Sequence, residues 1–169
     1  SEWQEILPSC STDTIFVTPR WQKTWWRHFG DDSELRILSL RENGILLGIA
    51  PLMVRDGVVR FLGGSDLFDY HDFLVPRGNE AGFYSSLFDY LEAMDWHTID
   101  LCSLPQDSPT LAFFPTVAKK KGYVVEVLKE GVAPVASLPS TWDEYQAGLT
   151  RKYRHELRRK LRRLGTAGA

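Results

Sequence analysis

Cysteine is scarce in this chain. Cys10 and Cys102 are the only two among 169 residues, far apart and without a Cys-x-x-Cys neighbour, which excludes a disulfide scaffold and a cysteine-rich zinc site. Long apolar runs are also missing. No stretch approaches the ~20 residues a membrane-crossing helix needs, and no basic segment followed by an apolar one opens the chain, so the expectation is a soluble, cytoplasmic protein. Nor is there a Walker loop, a dinucleotide fingerprint, a Ser-His-Asp order or a helical metal pair. What is present is an ordinary globular mixture, 43% hydrophobic and 25% charged, of the length of one domain.

Charge is distributed unevenly. The first 150 residues hold 12 of the 20 basic and 21 of the 22 acidic side chains, a net −9, while the last 19 hold the other eight basic residues and one acid, a net +7. Such a split calls for a partner or a packing role for the basic end.

Glu34 to Val75 organises the rest. Glu34 to Glu42 alternates with the period of a pleated strand, Asn43-Gly44 suits a type I′ hairpin, Ile45 to Val54 returns, and Asp56-Gly57 repeats the turn before a third strand, Val58 to Leu62. The loop after this strand changes character. Gly63, Gly64, Ser65, Asp66, Leu67, Phe68, Asp69, Tyr70, His71 and Asp72 put three carboxylates, two aromatics and a histidine behind a diglycine, just before the short apolar run Phe73 to Val75. The loop is a candidate site; the alternative is that its glycines make a turn and its aromatics cover the edge of a core.

Around this centre, Ile15 to Val17 reads as a short strand, and Thr18-Pro19 starts a helix whose Trp21, Trp25 and Phe29 share a face closed by a left-handed Gly30. Trp26 lies off that stripe and is a candidate for stacking on a ligand. Asn79 is placed to cap a helix carrying Phe83, Leu87 and Leu91; Thr98 to Leu104 reads as a strand, and Ser108-Pro109 begins a helix ending at Lys119 to Lys121. Tyr123 to Leu128 and Val132 to Leu138 read as a strand pair joined through Lys129-Glu130-Gly131. Thr141 and Glu144 form a capping-box pattern, and a basic amphipathic helix from Arg151 lines up Tyr153, Leu157, Leu161 and Leu164. This order predicts an α/β (α+β) fold with a mixed, mostly antiparallel sheet between helices.

Several stretches together resemble the GNAT-type acetyltransferases of the cellulose-biosynthesis (CelD-like) group, distant relatives of the FemAB-like aminoacyltransferases. They are Thr18-Pro19-x-Trp21 with Trp25, Gly48 to Val54, Phe61 to Asp66 with Asp69-Tyr70-x-Asp72-Phe73, Trp142-x-x-Tyr145, and Arg154-x-Glu156-Leu157-Arg158-Arg159-Lys160. The resemblance implies a GNAT fold and an N-acyltransferase that uses acetyl-CoA or another acyl-CoA. It also implies a phosphate-binding loop at Val75 to Gly82, where Arg77 and Gly82 fit the family pattern and Glu80 stands in place of its first glycine. That departure leads to the expectation that residues 1–149 are an N-terminal GNAT-like half and that residues 150–169, ending in Gly165 to Ala169, are a basic helix and linker toward a second half that binds the acyl-CoA.

The expected role is therefore the substrate-side half of an acyltransferase acting on a small-molecule or saccharide amine. An attacking amine needs a proton acceptor, and Asp69, Asp72 and His71, with Tyr70 as a donor or orienting group, have that chemistry. Gly63, Gly64, Ser65, Asp66, Trp26, Arg154 and Arg158 are the candidate substrate contacts. A second reading is a non-catalytic binding or regulatory module that has lost its cofactor site. A third takes the basic end as a nucleic-acid or acidic-membrane element; the acidic remainder argues against nucleic acid.

Overall fold

The computed structural model describes residues 1–30, 32–64 and 66–166. The chain forms two compact units, Ser1–Glu130 and Gly131–Ala169. The first is a mixed α+β unit built on a four-stranded sheet of order β1-β2-β3-β4. Its elements are α1 (Glu2–Ile6), α2 (Pro19–Phe29), β1 (Glu34–Glu42), β2 (Ile45–Arg55), β3 (Val58–Phe61), α3 (Glu80–Glu92), β4 (Thr98–Asp100) and α4 (Pro109–Lys120).

The meander forms as its turn chemistry requires. Asn43 and Gly44 have φ of 48° and 83°, and Asp56 and Gly57 have 50° and 69°, so both hairpins use the left-handed pairs whose twist suits antiparallel strands. β1 pairs with β2 from Glu34↔Val54 to Glu42↔Ile45 with a bulge at Leu40/Arg41, β2 pairs antiparallel with β3, and β4 joins β3 in parallel. The bulge shifts the alternation of β2. Ala50 and Leu52 face the main core with Val59, Phe61, the α3 residues Phe83, Leu87 and Leu91, and Phe114 and Ala118 of α4. Ile49 faces the other way, onto Leu7, Cys10, Val17 and Leu74. Helical segments thus cover both sides of the sheet at this point.

Past Pro51 the edge of β2 changes partner. β3 leaves the sheet at Gly63, where φ is +142°, and the chain returns at Leu74, which exchanges two backbone hydrogen bonds with Ile49 at 2.9 and 3.0 Å. The loop Gly63–Asp72 is therefore an excursion from a single strand position. Gly48 makes the return possible, because a Cβ there would sit 2.6 Å from the Leu74 carbonyl oxygen and from the Phe83 ring.

Four local expectations need correction. Tyr123 to Leu128 and Val132 to Leu138 form no strands; among the described residues no backbone–backbone hydrogen bond involves Val124 to Leu138. Tyr123 packs on Phe88 and Trp96 and Val125 leans on the core, but β4 is only three residues long and no strand pairs with the segment beyond Tyr123. Strand propensity cannot substitute for a pairing partner. β4 correspondingly stops at Asp100 rather than Leu104. Ile15–Val17 is a 3-10 turn, not a strand. Gly30 closes α2 at φ −80°, not left-handed, and its missing Cβ is needed because the Trp26 ring lies 2.5 Å from where that atom would be.

The second unit contains α5 (Trp142–Gly148) and α6 (Arg151–Thr166). The Thr141/Glu144 capping box forms in both directions. Neither helix buries a residue.

Candidate functional site

Phe68 is the aromatic anchor of the loop after β3. Phe68 is 1% exposed and sits among Phe16 (5.9 Å between ring centroids), Trp21 (6.2 Å), Trp25 (6.1 Å) and His71 (4.4 Å). The Trp21 and Trp25 face of α2 thus meets the loop rather than the sheet core, while Phe29 at its end stays exposed. Gly64 passes over Trp25, whose ring lies 3.3 Å from where a Cβ would be. With Phe68 pointing in, Asp66 and Asp69 on either side of it face solvent, and Tyr70 is half-buried 6.5 Å from the Phe16 ring. Ser65 lies outside the described residues.

His71 and Asp72 are buried, 3% and 2% exposed. The His71 imidazole lies between Phe61 and Phe68, and the Cys102 backbone engages its ring. Burial outweighs that bond and pushes the imidazole down to about 4, so it is neutral at pH 7. Its Nε2 is buried, has no hydrogen-bond partner among the described residues and lies against Gly63, where a Cβ would come within 2.7 Å of it. Three further buried polar atoms lack partners on the neighbouring segment: Thr14 Oγ1, Gln22 Oε1 and Trp21 Nε1. The Trp21 and His71 rings therefore flank Phe68, each with an unspent nitrogen.

Asp72 does different work. Its carboxylate accepts from Thr12 Oγ1 at 3.1 Å, from the Phe73 amide at 2.9 Å and from Thr110 Oγ1. Thr110 spends its proton on Asp72, so Tyr84 donates to Thr110 Oγ1 at 2.9 Å. One carboxylate thus ties the N-terminal segment, the loop's end, α3 and the start of α4. Burial raises its pKa, and the hydrogen bonds oppose that rise in part. Thr12, Ser108 and Thr110, all buried, were not signalled by the sequence, because hydroxyls at helix starts and in turns look alike whether or not they meet a distant carboxylate.

The other candidates are scattered. Arg154 donates to the carbonyls of Gln146, Ala147 and Leu149 at 2.8–2.9 Å, adding to the Leu149 amide that closes α5 on the Gln146 carbonyl, and Arg158 reaches Gln146 Oε1 at 3.4 Å. Trp26 is half-buried against Gly30. Arg77 is exposed and its amide donates to Ser9, while Gly82 faces Leu47 on the first turn of α3. Glu80 folds back so that its carboxylate accepts from the Gly78 amide at 2.8 Å. A first-turn carboxylate thereby takes an amide that an anionic ligand at this helix start would use.

Burial pushes the Cys10 thiol up to about 11 and the Cys102 thiol up to about 12, so neither is a thiolate nucleophile near neutral pH. Among the described residues no group of three or more His, Cys, Asp and Glu side chains comes together as a metal site, and no helix is long and apolar enough to cross a membrane. Shallow depressions along α6 are lined by that helix alone. No protein family, curated protein or solved structure matches this chain.

Proposed function

We propose that the chain supplies the acceptor-binding side of an acyl-CoA-dependent N-acyltransferase of GNAT type, with the acyl donor held by a second, GNAT-like half. The observation that carries this reading is His71. It is a neutral, buried imidazole whose Nε2 has no hydrogen-bond partner among the described residues and lies beside Gly63, where an amine entering the loop would meet it. Phe68 packs against both the His71 and Trp21 rings, so an amine on a small molecule or saccharide that displaced it would meet an imidazole and an indole framed by aromatic rings. Asp66 and Asp69 at the rim favour a cationic approach. Asp72 positions the loop's end and does not meet the substrate.

The Glu80–Gly78 contact supports placing the acyl-CoA elsewhere, and it equally supports the second reading, a binding module without chemistry. Titration separates them. Amines and amino sugars should quench the tryptophan fluorescence of the chain and lose that effect in His71→Ala, whereas coenzyme A should not bind at micromolar concentration. Micromolar binding of coenzyme A would overturn the division of labour, and an amine response unchanged in His71→Ala would leave only the binding module.

A further inference from the structure

The basic helix carries a concentration of charge that the acceptor site around His71 does not use. Over Arg151 to Arg163 it carries eight Lys and Arg against Glu156, a net +7. Some of that charge is committed: Arg154 closes α5, and Arg159 and Lys160 face Glu156. Arg151, Lys152, Arg158, Arg162 and Arg163 have no acidic partner among the described residues. Like charges three and four residues apart repel along a helix, and a helix of this length is marginal alone in water. The opposite face is apolar and open. Tyr153, Leu161 and Leu164 are 64%, 45% and 64% exposed, and with Leu157 they fall within about 80° of arc at 100° per residue. On α5, Trp142 is 52% exposed and stacks on Tyr145 at 5.4 Å.

We infer that α6 docks on an anionic lipid surface, lying in the interface with Tyr153, Leu157, Leu161 and Leu164 toward the acyl boundary and its arginines among the headgroups. Low overall hydrophobicity, a narrow apolar stripe and a cationic face are the makings of an interfacial helix, and exposed Trp and Tyr prefer the headgroup level. Long arginine stems flanking the stripe reach outward while their aliphatic parts stay with it. A nucleic acid would satisfy the charge but leave the leucines in water. The net +7 disfavours a second copy of the same helix as the partner. The acidic remainder of the chain weakens docking on any polyanion alike, and the leucine stripe is what favours lipid over nucleic acid.

This inference is independent of the acyltransferase reading, and co-sedimentation tests it. The chain should sediment with vesicles of phosphatidylcholine containing phosphatidylserine and not with phosphatidylcholine alone, and the binding should weaken steeply with salt. Each basic residue at such a surface contributes roughly fivefold in partitioning, so Arg162→Glu with Arg163→Glu should weaken binding by about 25-fold or more, while Arg162→Lys with Arg163→Lys retains it. Leu161→Ser with Leu164→Ser keeps every charge and should still weaken binding by tenfold or more, roughly the loss of two partly buried leucines. No sedimentation with the anionic vesicles at low salt overturns the inference. So does an unaffected leucine variant, or tighter binding to duplex DNA or polyglutamate than to the vesicles.

Discussion

His71 and Asp72 are adjacent and equally buried, yet they act oppositely on stability as pH changes. The folded state holds His71 down at about 4 against an ordinary 6.5, so between those values the unfolded chain binds the extra proton. Stability is therefore lost as pH falls from about 6.5 toward 4, by up to about 3 kcal/mol from this one group. Asp72 has a raised pKa, so its contribution runs the other way: stability falls as pH rises from the ordinary carboxylate value through the folded one. His71→Phe should destabilise the protein at pH 7 and cost less, or nothing, at pH 5. Urea denaturation of both proteins at the two pH values checks this, and an equal difference at both would show that His71 is not held neutral. The loop's composition showed that it held titratable groups. Which of them face inward was not legible, because that depends on Phe68 finding three aromatic rings from residues about 40 to 50 positions earlier.

Among the elements, turns and caps were the most readable and unpaired strands the least. Asn43-Gly44, Asp56-Gly57 and the Thr141/Glu144 box are decided within four residues, by φ tolerance and by one side chain reaching one amide, so sequence reading places them directly. Arg154 shows where this stops. By type and neighbourhood it looked like a ligand contact, but it donates to three carbonyls at the end of α5, those of Gln146, Ala147 and Leu149. Arg154→Ala should unravel the end of α5 and lower helical circular dichroism, at a cost of about 1–3 kcal/mol in the stability of the second unit. Arg158→Ala, with only one long contact to Gln146, should leave the helix signal nearly unchanged.

At the scale of the whole molecule, the connection between the units is the exposed feature. Val124, Val127, Leu128, Val132, Val135 and Leu138 are 63–100% exposed, and the backbone between them makes no backbone–backbone hydrogen bond among the described residues. Chain of this kind is where proteases cut. Brief trypsin treatment should cut after Lys129 and within α6 and leave a fragment carrying the four-stranded sheet, while Lys121, paired with Asp89 and Glu92 of α3, resists. Early cutting inside Glu34 to Arg60 would contradict the pairing of β1, β2 and β3.

By itself the sequence determined the meander, the capped starts at Thr18, Ser108 and Thr141, the basic helix and the uneven charge, but not α1 or a side-chain cap from Asn79, because each of those it found rests on periodicity, φ preference or a count of residues close together in the chain. Only the tertiary structure decided that Phe68 rather than a carboxylate fills the centre of the loop, that Asp72 is a tie among four segments, and that Tyr123 to Leu138 has no strand partner among the described residues. Those outcomes depend on which distant groups arrive at the same place, and burial and hydrogen-bond satisfaction are properties of that meeting rather than of any one stretch of chain.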